Sequence, residues 1–177
     1  MYFSDVVVRR EAPYRRLADL AGATWAYNEP SSHSGYCLTR YELARSGLPA
    51  PHFGRIVESG SHMASLALLR AGAIDASAID STVLELASAA DPGLGAGLRI
   101  LETWGPSAMP PLLASERVPA ATRHALTTAL LAMHRSPEGR AALATGLVSR
   151  FAAVSDGDYD PIRRMATIAA DYPLSPT

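Results

Sequence analysis

Lysine is absent, so all 16 basic side chains of this 177-residue chain are arginine. With the abundant Ala and Gly, this points to a GC-rich coding sequence rather than to chemistry. Cysteine is nearly absent: Cys37 stands alone and cannot form an internal disulfide, and its apolar neighbours predict a buried, unreactive thiol. No window approaches the roughly 18 consecutive apolar residues of a membrane span. There is no basic run, and the net charge is -1. Arg9-Arg10, Arg15-Arg16 and Arg163-Arg164 therefore read as solvated surface, and nucleic acid is not an expected partner. Also missing are a G-x-S-x-G elbow, a P-loop, H-E-x-x-H and paired-cysteine metal spacing. His124 and His134, about three helical turns apart, are too distant to share one metal. No cofactor or metal is expected, and the chain reads as a non-enzyme. Met1-Tyr2-Phe3-Ser4-Asp5 runs directly into Val6-Val7-Val8 with no charged and apolar leader, so the chain as written is expected not to be exported.

What is present alternates. Tyr2 to Arg9 reads as a strand, Leu17 to Leu20 as a helical turn and Thr24 to Asn28 as a second strand. A polar turn, Glu29-Pro30-Ser31-Ser32-His33-Ser34-Gly35, leads into a helix from Tyr36 to Ser46, stopped by Gly47. The unit repeats: strand Phe53 to Glu58, turn Ser59-Gly60-Ser61-His62, helix Met63 to Arg70. It repeats again with Ala76 to Ile79, Asp80-Ser81 and a helix to about Ala89. Leu98 to Trp104 is a further strand, and Leu112 to Ser115 is strand-like. From Pro119 the character becomes helical, with Ser136-Pro137 and Asp160-Pro161 starting helices. The fold class is α/β with a mostly parallel sheet.

Three strand ends thus open onto helix starts that carry small polar residues, and in an open parallel sheet the carboxyl ends of the strands form the ligand crevice. Helix amino termini there offer free N–H groups and the positive end of the dipole, which suits an anion. Ser31, Ser32, Ser34 and Ser61 add hydroxyls, and His33 and His62 add imidazoles that donate in either protonation state. Tyr27, Glu29 and Asp80 could face the same cleft, where a carboxylate would hold the amine of a zwitterion. Each Ser and Asp also has a plainer reading as an N-cap, strongest for Asp80. A hydrolase built on Ser34 and His62 lacks a third partner. Gly60-Ser61-His62-Met63-Ala64-Ser65 resembles an expression-tag scar, but its internal position argues against one.

Glu29 to Tyr36, Ser59 to His62 and Ala78-Ile79-Asp80-Ser81, in that order, resemble the successive signatures of the phosphate, phosphite and phosphonate binding proteins of ABC importers. Ser4 to Val8, Asp19 to Gly22, His134 to Gly139 and Tyr159 to Pro161 are similar to the same family. The resemblance implies a periplasmic-binding-protein-like (type II) fold of two α/β lobes joined by crossing strands. It implies Ser32, His33 and Ser34 as oxyanion donors and His62 as a further ligand contact, with His33 standing where Thr is common. It assigns residues 1–12 to a crossing strand of lobe 1 and 13–107 to a complete lobe 2. Residues 108–177 become the second crossing strand and the carboxyl-terminal helices of an incomplete lobe 1. The implied function is solute binding for an ABC importer, with a small phosphonate- or phosphate-like anion and a transporter permease as partners, in the periplasm, or in the cytoplasm if Met1 is the true start. Two other readings stand beside it: a homodimerising or partner-binding module without ligand, and an enzyme of the thiamine-precursor type on a related scaffold.

Overall fold

A computed structural model describes residues 1–174, which divide into two compact units, 1–108 with 159–174 and 109–158. The first unit is built on one five-stranded sheet: β1 (Tyr2–Arg9), β2 (Thr24–Tyr27), β3 (Arg55–Glu58), β4 (Ala76–Asp80) and β5 (Leu98–Ser107), in the order β3-β2-β4-β1-β5. β2 pairs parallel with β3 and with β4, whereas β1 is antiparallel to both β4 and β5. Four strands therefore run one way and β1 runs against them. That reversal matters for function, because it brings the start of β1 to the edge where the other four strands end. Tyr2 lies opposite Ser107, and Ser4 opposite Asp80.

Val6, Val7 and Val8 are buried in succession, as expected of a strand covered on both faces. Val6 and Val8 face a core of Trp25, Leu38, Leu43, Phe53 and Trp104, in which Trp25 stacks on Phe53 at 4.5 Å between ring centroids. Val7 faces Ala26, Leu66, Leu69, Ile74 and Ile79. The first core is covered by α1 (Leu38–Arg45), and the second by α2 (His62–Arg70), α3 (Ser81–Ala90) and α4 (Pro92–Gly97). α4 was not anticipated from the sequence; Asp91 caps it through a bond from the Gly93 amide, with Pro92 at its first position.

The second unit contains α5 (Ala120–Ala132), a 3-10 turn at Met133–Arg135 and α6 (Pro137–Ala144). Ser136 caps α6 as expected, accepting from the Gly139 amide at 2.9 Å. None of the α5 residues is buried.

Three expectations need correction. No strand forms at Leu112–Ser115; Leu112 and Leu113 are exposed in irregular chain, because Pro110 and Pro111 bring no N–H to a ladder. β1 is flanked instead by β4 and by β5, and β5 continues past Trp104 to Ser107. The last helix, α7 (Asp160–Ala170), belongs to the first unit, where Arg40 of α1 donates to the carbonyls of Ala170 and Tyr172. The bond to Ala170 satisfies a carbonyl at the end of α7 that the helix itself leaves open. Within the first twelve residues, β1 (Tyr2–Arg9) is an interior strand of the sheet.

Candidate functional site

The carboxyl edge of the sheet collects Tyr27, Glu58, Asp80 and Ser107 from four strand ends, and Tyr2 to Ser4 from the reversed strand. After β2 the chain turns through Asn28 to Ser32 into a π-helical turn, His33–Cys37, that passes directly into α1. Ser32 caps this turn, its buried Oγ accepting from the Gly35 amide at 3.0 Å. Ser34 is buried; its Oγ lies 3.0 Å from His62 Nε2, and its carbonyl accepts from Ser4 Oγ of β1 at 2.9 Å. His33 turns the other way, placing Nε2 3.0 Å from Ser107 Oγ at the end of β5.

After β3, Gly60 takes a φ of +85°, the left-handed region that suits glycine, and Ser61 caps α2 by accepting from the Ala64 amide. This places His62 at the first position of α2 beside the π turn. At the end of β4, Asp80 caps α3, accepting from the amide and the hydroxyl of Thr82. Ser81 Oγ accepts from the Phe3 amide.

The residues singled out from the sequence separate by this geometry. Ser34 and His62 are brought into contact, while Ser32, Ser61 and Asp80 are caps, as the plainer reading held. Ser31 is exposed. Tyr27 is directed at Glu58, donating to Oε2 at 3.1 Å, and packs on Tyr36 at 4.8 Å. His33 is engaged with Ser107. Cys37 is half-buried rather than buried, and desolvation raises its thiol, opposed by the nearby Arg40 charge.

Sequence reasoning placed Ser81 at a polar helix start without giving it a role, and assigned none to Ser4, Ser107 or Asn28. Ser4 carried a faint signal, a polar residue two positions before a valine run; Ser107 carried none, since it follows Gly105-Pro106 past the expected end of the strand, and both are buried. Asn28 Oδ1 is buried and has no hydrogen-bond partner among the described residues, as do His33 Nδ1 and His62 Nδ1.

The Ser34–His62 pair has a simple proton count. Neutral imidazole and hydroxyl together own two polar protons, and their mutual bond uses one. Whichever tautomer holds, one donor is left over: the Ser34 hydroxyl or the His62 Nδ1–H. Protonation would add a second donor and a charge. Desolvation holds His62 below its ordinary value near 6.5, opposed by the negative charges of Asp80 and Glu29. Desolvation lowers His33 too.

The sign for stability follows. These imidazoles bind protons less readily folded than unfolded, so the folded state loses stability as pH falls from about 6.5 through their lowered values. Thermal melts across that window should show the midpoint falling with pH, and His62→Gln should reduce the slope. An unchanged slope in the variant would remove His62 from the account.

Burial also acts on Tyr2 and Asp5 of β1. It pushes the Tyr2 phenol up to about 12, with Asp80 and Cys37 adding to the rise. It also raises Asp5, whose Oδ1 accepts from Thr103 Oγ1 at 2.6 Å.

A mostly parallel sheet covered on both faces, with polar helix starts gathered at its carboxyl edge, defines a lobe of the periplasmic-binding-protein-like class. The chain belongs to the family described as ABC transporter, phosphonate, periplasmic substrate-binding protein, whose model matches residues 1–159. Solved structures share the fold. A binding protein component of an ABC phosphonate transporter from Pseudomonas aeruginosa has a TM-score of 0.79 at 18% identity, over 96% of this chain and 58% of its own. PhnD1 of Prochlorococcus marinus, solved in complex with methylphosphonate, has a TM-score of 0.78 at 21% identity, over 94% of this chain and 66% of its own. The periplasmic aliphatic sulphonate binding protein SsuA of Escherichia coli has a TM-score of 0.57 at 18% identity, over 95% and 60%. The chain thus spans about six-tenths of the length of these proteins. Among curated protein sequences, none matches.

Proposed function

We propose that this chain binds a small oxyanion of the phosphonate and phosphate class at the carboxyl edge of its sheet, as solute-binding component of an ABC importer acting in the periplasm with a transporter permease. The observation that carries the reading is the Ser34–His62 pair, seated where the π turn and α2 both begin. It keeps one unspent donor in either neutral tautomer, beside helix starts whose amides and dipoles favour negative charge. Ser31, Ser32 and Ser61 add hydroxyls at the same two helix starts, and His33 is engaged with Ser107 beside them. Asp80, whose charge acts on His62, gives a zwitterionic aminophosphonate a place for its ammonium group. The matched family and the binding proteins that share the fold support transport rather than catalysis.

A thermal-shift screen against phosphate, phosphite, methylphosphonate and 2-aminoethylphosphonate, with sulfate as charge control, tests the reading. A ligand that binds only the folded state stabilises it by about 2.7 kcal/mol at a hundredfold excess over Kd. A selective rise in midpoint is expected. A cooperatively melting chain that responds to none of them would overturn the proposal.

A further inference from the structure

We propose that His33 is a positioning residue that latches the binding turn to β5 through Ser107, and is not itself an oxyanion donor. The inference rests on the oxyanion reading above. His33 Nε2 meets Ser107 Oγ at 3.0 Å across 74 positions of sequence, and Ser107 is only 3% exposed. The next residue is tied as well, since the Ser34 carbonyl accepts from Ser4 Oγ of β1. Two successive residues of the turn are therefore bonded to two neighbouring strands, whose ends are in register at Tyr2 and Ser107. A turn held at both residues keeps Ser34 Oγ against His62 before any ligand arrives, and a preorganised site loses less order on binding.

The orphaned ring atom fixes the direction of the bond. His33 Nδ1 is buried without a partner among the described residues. Were Nδ1 to carry the proton, a buried N–H would be unpaired, which folded proteins tolerate less well than an unpaired acceptor. The Nε2–H tautomer, donating to Ser107 Oγ, leaves only a bare lone pair at Nδ1. In that tautomer the ring has no proton left for a ligand.

The tautomer can be read without any ligand, by long-range proton–nitrogen NMR correlation on the 15N-labelled chain, with His33→Ala identifying the resonances. A single Nε2–H tautomer is expected in the wild type and a mixture in Ser107→Ala. A wild-type Nδ1–H tautomer, or a Ser107→Ala spectrum identical to wild type, would overturn the latch. Titration with methylphosphonate then reads its consequence. Ser107→Ala and His33→Ala should each weaken binding roughly tenfold, the double variant no further than either, and Ser107→Thr, which keeps the hydroxyl, should bind like wild type. Additive losses, or a loss confined to His33→Ala, would make His33 a direct contact and overturn the assignment. A wild type with the expected tautomer that binds none of the screened anions would instead overturn the oxyanion reading and, with it, the binding role of the latch.

Discussion

Replacing His62 by alanine is expected to weaken methylphosphonate binding by about tenfold to a hundredfold, measured by titration calorimetry. The size follows from the kind of bond lost: a hydrogen bond to a charged group contributes about 1.5–3 kcal/mol, and about 1.4 kcal/mol is a factor of ten in Kd. In the wild type His62 does two things at once: it bonds Ser34 Oγ, and its tautomer sets whether the spare donor of the pair is the Ser34 hydroxyl or the His62 Nδ1–H. Alanine removes both, leaving a buried Ser34 hydroxyl that no longer has a fixed direction. Ser34→Ala should fall in the same range, and the two losses should not add, because each variant destroys the same pair. The folded chain should survive either change, since Ser61 still caps α2 and Ser32 still caps the π turn. Unchanged affinity in His62→Ala, with the wild type binding, would move the site elsewhere on the edge.

Much of this site was legible because its determinants are local. A valine run, a polar turn with a cap residue and a following apolar period specify strand, turn and helix start from a dozen residues. The turns at Ser31 to Gly35 and Ser59 to His62 therefore sat where the periodicity placed them. Ser136 with Pro137 was equally readable, since a cap and a first-turn proline act within one helical turn. What escaped depends on partners distant in sequence. Nothing near Val6 says that β1 runs against four strands and lies between β4 and β5. That placement in turn decides that Ser4 reaches Ser34 and that Ser107 reaches His33. The histidine at 33 looked free because its hydrogen-bond partner lies 74 positions away. Leu112–Ser115 failed for the converse reason: its composition suits a strand, but a strand also needs a neighbour and an unbroken set of N–H groups.

Gly35→Ala carries the other large expected effect, and it is steric. Gly35 is buried between Asn28 and His62, and a Cβ added there would lie 2.1 Å from Asn28 Oδ1 and 3.3 Å from His62 Cε1. No hydrogen is needed to see the clash; the first distance is well inside contact. Forcing a methyl into a packed site costs about 1–3 kcal/mol, so the melting midpoint should drop measurably. Binding should fall further than stability alone predicts, because the atoms that must yield belong to the turn and to the His62 ring. The contribution of Asn28 can be separated. Its Oδ1 has no partner among the described residues, so Asn28→Ala forfeits no hydrogen bond at that atom while removing the closest contact. The double variant Asn28→Ala/Gly35→Ala should therefore recover most of the lost stability. Its affinity should stay reduced, because the contact with the His62 ring remains. Recovery of both properties would mean that His62 has room to move without cost, and would weaken the case that a fixed Ser34–His62 geometry is what holds the anion.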